Sequence, residues 1–415
     1  MTRIIVVGGG PAGLMSAFFA ANNNCDILLL EKNEKLGKKL YITGKGRCNV
    51  TNEKCVGQDF LNNVVSNPKF LYSAISAFDY NDAVAFFEDN GCKLKVERGG
   101  RVFPVSDKAS DITKALTHAI MQKGVRVQLD TNVLSVKKNE NKFEVKTNKG
   151  EFVCDKVILT TGGKSYPTTG SNGDGYALAK SFGHKIIPTK PSLVAIPLKD
   201  GFVSSLEGLS LKNVELRLVG KKTKLAFFGE GLFTDKELSG PIALSMSANI
   251  AHLDNASENK LFLDFKPYMT QVELEERVLT EFEQNKNAEI QTVLKTMLPT
   301  RFVPVLLSVC EIATNQKIHS VTKQQRLNIA KQIKNFELHF DISNDFERAV
   351  VTTGGVDTKE IMSKTMESKL CQGLFFAGEI IDVDAYTGGF NIQIALSTGC
   401  LAGRSAGEVK CDYCD

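Results

Sequence analysis

Gly8, Gly10 and Gly13 stand in the order G-x-G-x-x-G directly after the apolar run Arg3-Ile4-Ile5-Val6-Val7. That spacing turns a buried strand sharply into a helix. Gly8 makes the tight turn, Gly10 admits a phosphate close to the backbone, and Gly13 lets the helix pack on the strand. Pro11 and Ala12 open the helix, whose first N–H groups point at an anion. A second apolar run, Asp26-Ile27-Leu28-Leu29-Leu30, ends on Glu31, 18 residues past Gly13. A carboxylate there accepts hydrogen bonds from a ribose. Strand, glycines, helix and acid-ended strand together predict a nucleotide site.

Between Glu31 and Arg47 lie Lys32, Lys35, Lys38, Lys39 and Lys45, a cationic run expected to face phosphate or an anionic substrate in part. Gly37 to Asn52 interleaves glycines with donors and reads as a loop that wraps a cofactor, with Arg47, Cys48 and Asn49 inside it. Cys48 reads either as a thiol beside a reactive ring or as a small buried side chain. Glu97 to Pro104 is a glycine-broken loop with Arg98 and Arg101, an expected wall of an active site. Val157 to Leu159 is a second buried strand stopping at Thr161-Gly162-Gly163, and Lys164, Ser165, Tyr166 and Pro167 follow. Leu374 to Ala377 is a third, ending at Gly378-Glu379; Gly388-Gly389-Phe390-Asn391-Ile392 then starts a helix rich in small residues. Two glycine-led helix starts in one domain are two sources of N–H groups and positive dipole.

Stepping along the chain, Asn81 is expected to cap a helix stopping at Asn90-Gly91, and Ile112, Ala115, Leu116, Ala119 and Ile120 form a buried helical stripe. Segments 125–129, 133–136, 143–147 and 152–154 read as strands of one small antiparallel ribbon, with the Val133 backbone clamping an adenine. No second strand-G-x-G-x-x-G-helix unit occurs, which predicts one dinucleotide site and no separate nicotinamide domain. From Pro191 alternating segments predict a β-rich insertion. Thr270-Gln271-Val272-Glu273 and Thr322-Lys323-Gln324-Gln325 are capping boxes of a helical one. Lys323, Arg326, Lys331 and Lys334 make the end of that insertion basic, either a solvated face or a docking surface for RNA.

The chain has 415 residues, 42% hydrophobic and 24% charged, with a net charge of +4, too small to imply nucleic-acid binding by itself. No apolar run suffices to span a bilayer, and strand one follows Met1 at once, so a cytoplasmic protein without membrane contact is expected. Ten cysteines without a paired framework suit reduced thiols, and Cys411-x-x-Cys414 reads as a tail. No metal site is expected.

Gly8 to Gly13 with Glu31, Gly44-Lys45-Gly46-Arg47-Cys48-Asn49-Val50-Thr51-Asn52, Gly100 to Pro104, Thr161-Gly162-Gly163 with Tyr166-Pro167, Leu238-Ser239-Gly240-Pro241, Phe376 to Glu379 and Gly388 to Gln393 all stand in this one chain. In these motifs the chain resembles the aminoacetone-oxidase-like FAD flavoproteins, which include proteins described as bile-acid reductases. The resemblance implies an α/β, Rossmann-like FAD domain in two segments, 1–190 and 345–415, with a β-barrel-like insertion at 191–269 on the substrate side and a helical one at 270–344. It implies FAD, with Gly8, Gly10, Pro11, Ala12 and Gly13 at the pyrophosphate, Glu31 at the ribose and Val133 at the adenine. Lys32, Lys39, Arg47, Cys48, Asn49, Thr161, Gly162, Gly163, Gly378, Glu379, Gly389, Phe390, Asn391 and Ile392 would complete the site. Where relatives often have Thr-His before Ser-Gly-Pro, this chain has Thr234-Asp235-Lys236-Glu237-Leu238.

The expected activity is hydride transfer between a small substrate and flavin N5, as an amine oxidase or a C=C reductase, with NAD(P)H as a transient external reductant in the second case. The alternatives are reduction of a pyrimidine C5=C6 bond in RNA, or a non-enzymatic FAD-binding redox protein. Arg101, Tyr166 and Lys164 are the residues of a type and position to orient substrate or move a proton. The oligomeric state is left open.

Overall fold

A computed structural model describes residues 1–221, 223–253 and 258–408. Cys411 and Cys414 lie outside them. The chain divides into two compact units, Met1–Ser192 with the chain from Asp345, and Leu193–Asn344.

The first unit begins β1 (Thr2–Val7), α1 (Pro11–Ala20), β2 (Cys25–Leu30), β3 (Thr51–Asn52), α2 (Gly57–Leu61), α3 (Tyr72–Ala77) and α4 (Tyr80–Asp89). It continues β4 (Leu94–Glu97), β5 (Arg101–Pro104), α5 (Ala109–Gln122), β6 (Arg126–Gln128), β7 (Val133–Asn139), β8 (Lys142–Thr147) and β9 (Gly150–Cys154). Then come β10 (Lys156–Leu159), α6 (Asp174–Ser181) and β11 (Ile186–Ser192). In the second unit lie β12 (Ile196–Pro197), β13 (Ser210–Val219), β14 (Lys224–Phe233), β15 (Glu237–Ser239), α7 (Pro241–Ala251) and β16 (Lys260–Asp264). Its helical part is α8 (Gln271–Gln284), α9 (Ile290–Leu294), α10 (Val303–Val309) and α11 (Lys323–Lys334), closed by β17 (Phe336–Leu338). The chain returns to the first unit with β18 (Val351–Val356), β19 (Leu374–Phe376) and α12 (Phe390–Ala406).

The organising sheet of the first unit is parallel, in the order β19-β10-β1-β2-β6. Its strands are short apolar runs because both faces are covered, and Ile4, Ile5, Val6, Leu29, Ile158 and Phe376 are fully buried. Segment 125–129 is a strand, as expected, but β6 pairs parallel with β2 rather than joining the antiparallel ribbon, which is β7-β8-β9 alone. Asn81 is not the cap of α4 either. Asp79 accepts from the N–H groups of Asn81 and Asp82, and the Asp82 carboxylate accepts from the Asp79 N–H, a capping box that starts two residues earlier.

Helices α1 and α12 touch backbone to backbone. Ala12, Ser16 and Ala20 lie one turn apart on α1. A Cβ on Gly399 would sit 2.5 Å from the Ala12 carbonyl oxygen, one on Gly403 2.4 Å from that of Ser16, and one on Gly407 2.7 Å from that of Ala20. Only glycine permits that approach.

In the second unit the antiparallel sheet has the order β12-β15-β14-β13-β16-β17. The capping boxes at Thr270 and Thr322 both form, at the starts of α8 and α11. Phe265, Phe302 and Phe336 pack ring on ring with centroids 4.2 and 4.8 Å apart, and one hydrophobic cluster runs from Ile196 to Leu338. The β-rich and helical segments therefore pack around a single core. Lys334, expected on a solvated face or a docking surface, is turned inward to pair with the buried Asp264 at 2.8 Å, since a carboxylate so deep needs a counter-charge. Lys323 and Lys331 stay exposed on α11.

Replacing Gly403 by valine should force α1 and α12 apart. We expect a loss of about 1–3 kcal/mol in folding free energy, the usual range for overpacking, read as a lower thermal midpoint. An unchanged midpoint would show that the two helices separate freely.

Candidate functional site

The carboxyl ends of β2, β1, β10 and β19 lie along one edge of the parallel sheet, where open α/β folds bind ligands. At β1 the chain turns through Gly8 into α1. The first helical turn has Pro11 inside it and Gly10 as its cap, with no capping side chain. A Cβ on Gly13 would fall 1.9 Å from the Gly8 carbonyl, so the turn closes only with glycine there. By contrast a Cβ on Gly10 would meet nothing within 4 Å, so open space lies before the helix end. Helix α12 also starts without a side-chain cap, on Gly389. Its start is pinned where β3 passes: a Cβ on Gly389 would lie 2.4 Å from the Thr51 carbonyl, and Asn52 Nδ2 donates to the Gly388 carbonyl at 2.9 Å.

Two carboxylates flank these helix ends. Glu31, after β2, is 7% exposed; its Oε2 accepts from the Gly9 N–H at 2.6 Å and its Oε1 from Asn33 N at 2.8 Å and Asn33 Nδ2 at 2.7 Å. Glu379, after β19, accepts at Oε1 from Ser165 Oγ at 2.8 Å and Thr352 N at 2.7 Å, and at Oε2 from Lys39 Nζ at 2.8 Å. A carboxylate offers about four acceptor positions, so each acid keeps one open. The two stand three strands apart, roughly 14 Å by the usual strand spacing, on either side of the uncapped helix end. Two fixed single acceptors with an anion-favouring helix end between them fit a dinucleotide: hydroxyls at the acids, pyrophosphate at α1. The residues present fit FAD.

Most of the cationic run is engaged by other side chains, while Lys45 stays exposed. Lys32 donates to Asn172 and pairs with Asp174 at 3.0 Å, Lys38 pairs with Glu34, Lys39 with Glu379, and the Lys35 ammonium lies over the Tyr41 ring. Arg47 stacks on Phe103 at 4.1 Å and pairs with Glu97 and Asp107, each at 2.5 Å. Only Glu34 belongs to the same loop; Asp174, Glu379, Glu97 and Asp107 reach these cations from other segments of the unit. The groups left for an anion at α1 are backbone N–H donors and the helix dipole.

Cys48 is fully buried, and burial pushes its thiol up to about 12, so it is an inert packing residue. Asn49 Oδ1 accepts from the Val102 N–H, and the Asn391 amide holds the Ala385 N–H and carbonyl; both asparagines brace main chain. The Thr161 hydroxyl is buried against α6, without a partner, where a Cβ on Gly175 would be 1.8 Å away. Val133 opens β7 beside Glu31, whose carbonyl accepts from the Thr131 N–H. Gly162 and Gly378 adopt positive φ of 74° and 77° at the ends of β10 and β19. Phe390 is buried, and Ile392 is half-buried in the first turn of α12.

Of the three expected reaction residues, Lys164 and Tyr166 share one segment and Arg101 stands on another. Arg101 is exposed on the β4–β5 hairpin and donates to the Arg98 carbonyl. Lys164 extends over the Phe346 ring, and Tyr166, at φ 53°, is held through its N–H by the Phe346 carbonyl. Among the described residues no hydrogen bond or ion pair joins Arg101 to either. Asn33, Ser165 and Thr352 complete the acids without having been singled out. A short polar residue two positions past Glu31 was a local signal for Asn33. Thr352 lies 187 residues beyond Ser165, with nothing local to reveal it.

Over residues 2–405 the chain matches the family described as the HI0933-like protein Rossmann domain. It is 32% identical over 411 residues to the 3-dehydro-bile acid delta(4,6)-reductase of Clostridium scindens, covering 98% of this chain and 100% of that protein. To the ribosomal RNA dihydrouridine synthase of Haemophilus influenzae it is 29% identical over 400 residues, covering 95% and 96%. A solved 3-ketosteroid delta1-dehydrogenase from Sterolibacterium denitrificans superposes with a TM-score of 0.52 at 12% identity, covering 99% of this chain and 100% of that one. That likeness is one of fold.

Glu97 is held below the usual carboxylate range chiefly by its hydrogen bond from Arg47, and Asp107 by those from Lys95 and then Arg47. On the acid side the unfolded chain then binds more protons than the folded one, so this stabilisation is present at neutral pH and drains as pH falls through the depressed values. Arg47→Met should therefore be less stable than the parent at pH 7, with the gap closing below about pH 4. A gap that stays constant on acidification would separate the arginine from these two acids.

Proposed function

The chain belongs to the HI0933-like Rossmann-domain family and is an FAD-dependent oxidoreductase, and on that footing we propose that it reduces a carbon–carbon double bond conjugated to a carbonyl. What supports the reaction class is that two full-length relatives, one named a delta(4,6)-reductase and the other a dihydrouridine synthase, have names that describe saturation of such a bond. The cofactor site rests on the pair Glu31 and Glu379, each with one open acceptor on either side of the uncapped α1 terminus. In this reading the first unit is the FAD domain. Gly8 to Gly13 take the pyrophosphate, Glu31 and the start of β7 at Val133 the adenosine, and Glu379 with Gly162, Gly163 and Gly378 the ribityl chain.

FAD, when bound, supplies hydride at N5 of its reduced ring. The protein's part is to hold the ring and to set its electronics. The start of α12, from Gly389 to Ile392, brings the positive end of a 17-residue helix to the flavin end of the crevice, where it favours negative charge. A proton must reach the substrate carbon next to the carbonyl. In this reading Tyr166, Lys164 and Arg101 orient the substrate or deliver that proton, and Tyr166 and Lys164 sit directly after the Gly162-Gly163 pair. RNA as the carrier of the double bond draws on one relative's name and on the exposed Lys323 and Lys331.

Photoreduced protein, mixed without oxygen with a conjugated enone steroid or a uridine-containing RNA, tests the reaction by the return of oxidised flavin absorbance, and oxidised protein mixed with an amine tests the opposite direction by loss of it. We expect reoxidation by an enone or by the RNA, faster than by oxygen. Amine-driven flavin reduction with peroxide release in air would make it an oxidase instead. Gly10→Ala should lower FAD affinity about tenfold, since the methyl group occupies the space of the pyrophosphate, and cost about 1 kcal/mol or less in stability. Unchanged FAD affinity would move the pyrophosphate elsewhere.

A further inference from the structure

The Glu379 carboxylate is the centre of a larger constellation that crosses the carboxyl edge of the sheet. Lys39 comes from the segment after β2, Ser165 from the segment after β10, Glu379 from the end of β19, and Thr352 from β18. Lys39 Nζ donates to Ser165 Oγ at 2.7 Å as well as to Glu379, so one ammonium bridges the hydroxyl and the acid. Thr352 Oγ1 accepts from Lys164 N at 2.8 Å and from Ser165 N at 3.0 Å. A Cβ on Gly163 would lie 2.5 Å from that same oxygen, so the loop after β10 is closed down onto β18. Ser165 and Thr352 are both 0% exposed. Cut off from water, their hydroxyls depend on these partners, and removing one leaves another unsatisfied. Glu379 in turn has three of its acceptor positions filled and its direction set from three separate chain segments. Glu31, at the other end of the crevice, is fixed by a different set, Gly9 and Asn33.

We propose that Ser165 and Thr352, with Lys39, are positioning residues for the flavin half of the cofactor site. They hold the Glu379 carboxylate before the cofactor arrives, with its remaining acceptor position directed to a hydroxyl of the ribityl chain. Lys39 in this arrangement serves the acid and is not a phosphate ligand. The proposal rests on the FAD reading and adds that the two halves of the site are preorganised independently.

The test is a pair of titrations on the purified full chain, one with FAD and one with ADP, which carries the adenosine end alone. Lys39→Met and Thr352→Val should each weaken FAD about tenfold, the size expected for the loss of a buried hydrogen bond, and leave ADP affinity unchanged. Thr352→Ser, which keeps the acceptor oxygen, should restore FAD affinity. If Thr352→Val does not fold, Lys39→Met, altered at a side chain 22% exposed and outside any helix or strand, carries the test. Equal weakening of FAD and ADP would reveal a general structural role and overturn the proposal, as would unchanged FAD affinity in both variants. A parent protein that binds ADP but not FAD would instead overturn the cofactor reading beneath it.

Discussion

The close crossing of α1 and α12 is the constraint on which the first unit depends. These helices come from opposite ends of the described chain, and both must present their N-termini to one edge of the sheet. Backbone contact through Gly399, Gly403 and Gly407 sets that arrangement with no side chain between them. A larger residue at any of the three would not merely lower stability. It would rotate or lift one helix end relative to the other, and with it one of two positive dipole ends that a long anionic ligand uses.

A second theme is how charge is distributed. The run from Lys32 to Arg47 looks like a phosphate trap, yet its cations are mostly engaged by acids of the same unit. Neutralised side chains do not compete with one another for an incoming anion, and they hold the loops over the crevice in place. In the proposed site phosphate recognition then falls to main-chain donors, which cannot swing away. The acids are the groups with capacity left over, and capacity for a single hydrogen bond selects a hydroxyl at a defined position rather than a metal or a cation.

What was legible in the residues was whatever is local. Gly8 to Gly13, the acid-ended strand at Glu31, the stripe from Ile112 to Ile120 and the boxes at Thr270 and Thr322 each show within a few positions, and each forms. The cap of α4 was misplaced because Asp79 and Asn81 are both good caps, and only geometry decides between them. Segment 125–129 was recognised as a strand, but its partner β2 lies about a hundred residues earlier and leaves no trace in its own pattern. Lys334 read as surface because its counter-ion, Asp264, is remote in sequence. The same remoteness hid Ser165 and Thr352, and nothing in an amino-acid pattern distinguishes a serine that orients an acid from one that merely fills a turn.

The second unit is drawn from one continuous stretch, whereas the first needs both ends of the described chain. On a ribosome, β1, α1 and Glu31 emerge several hundred residues before Glu379 and α12. Through most of synthesis the glycine-sized groove on α1 has no partner, and half of the nucleotide cradle does not exist. The inserted unit can complete its own phenylalanine core in that interval. In the proposed site, cofactor capture therefore waits until Glu379 and α12 have been made, however well the first strands have folded.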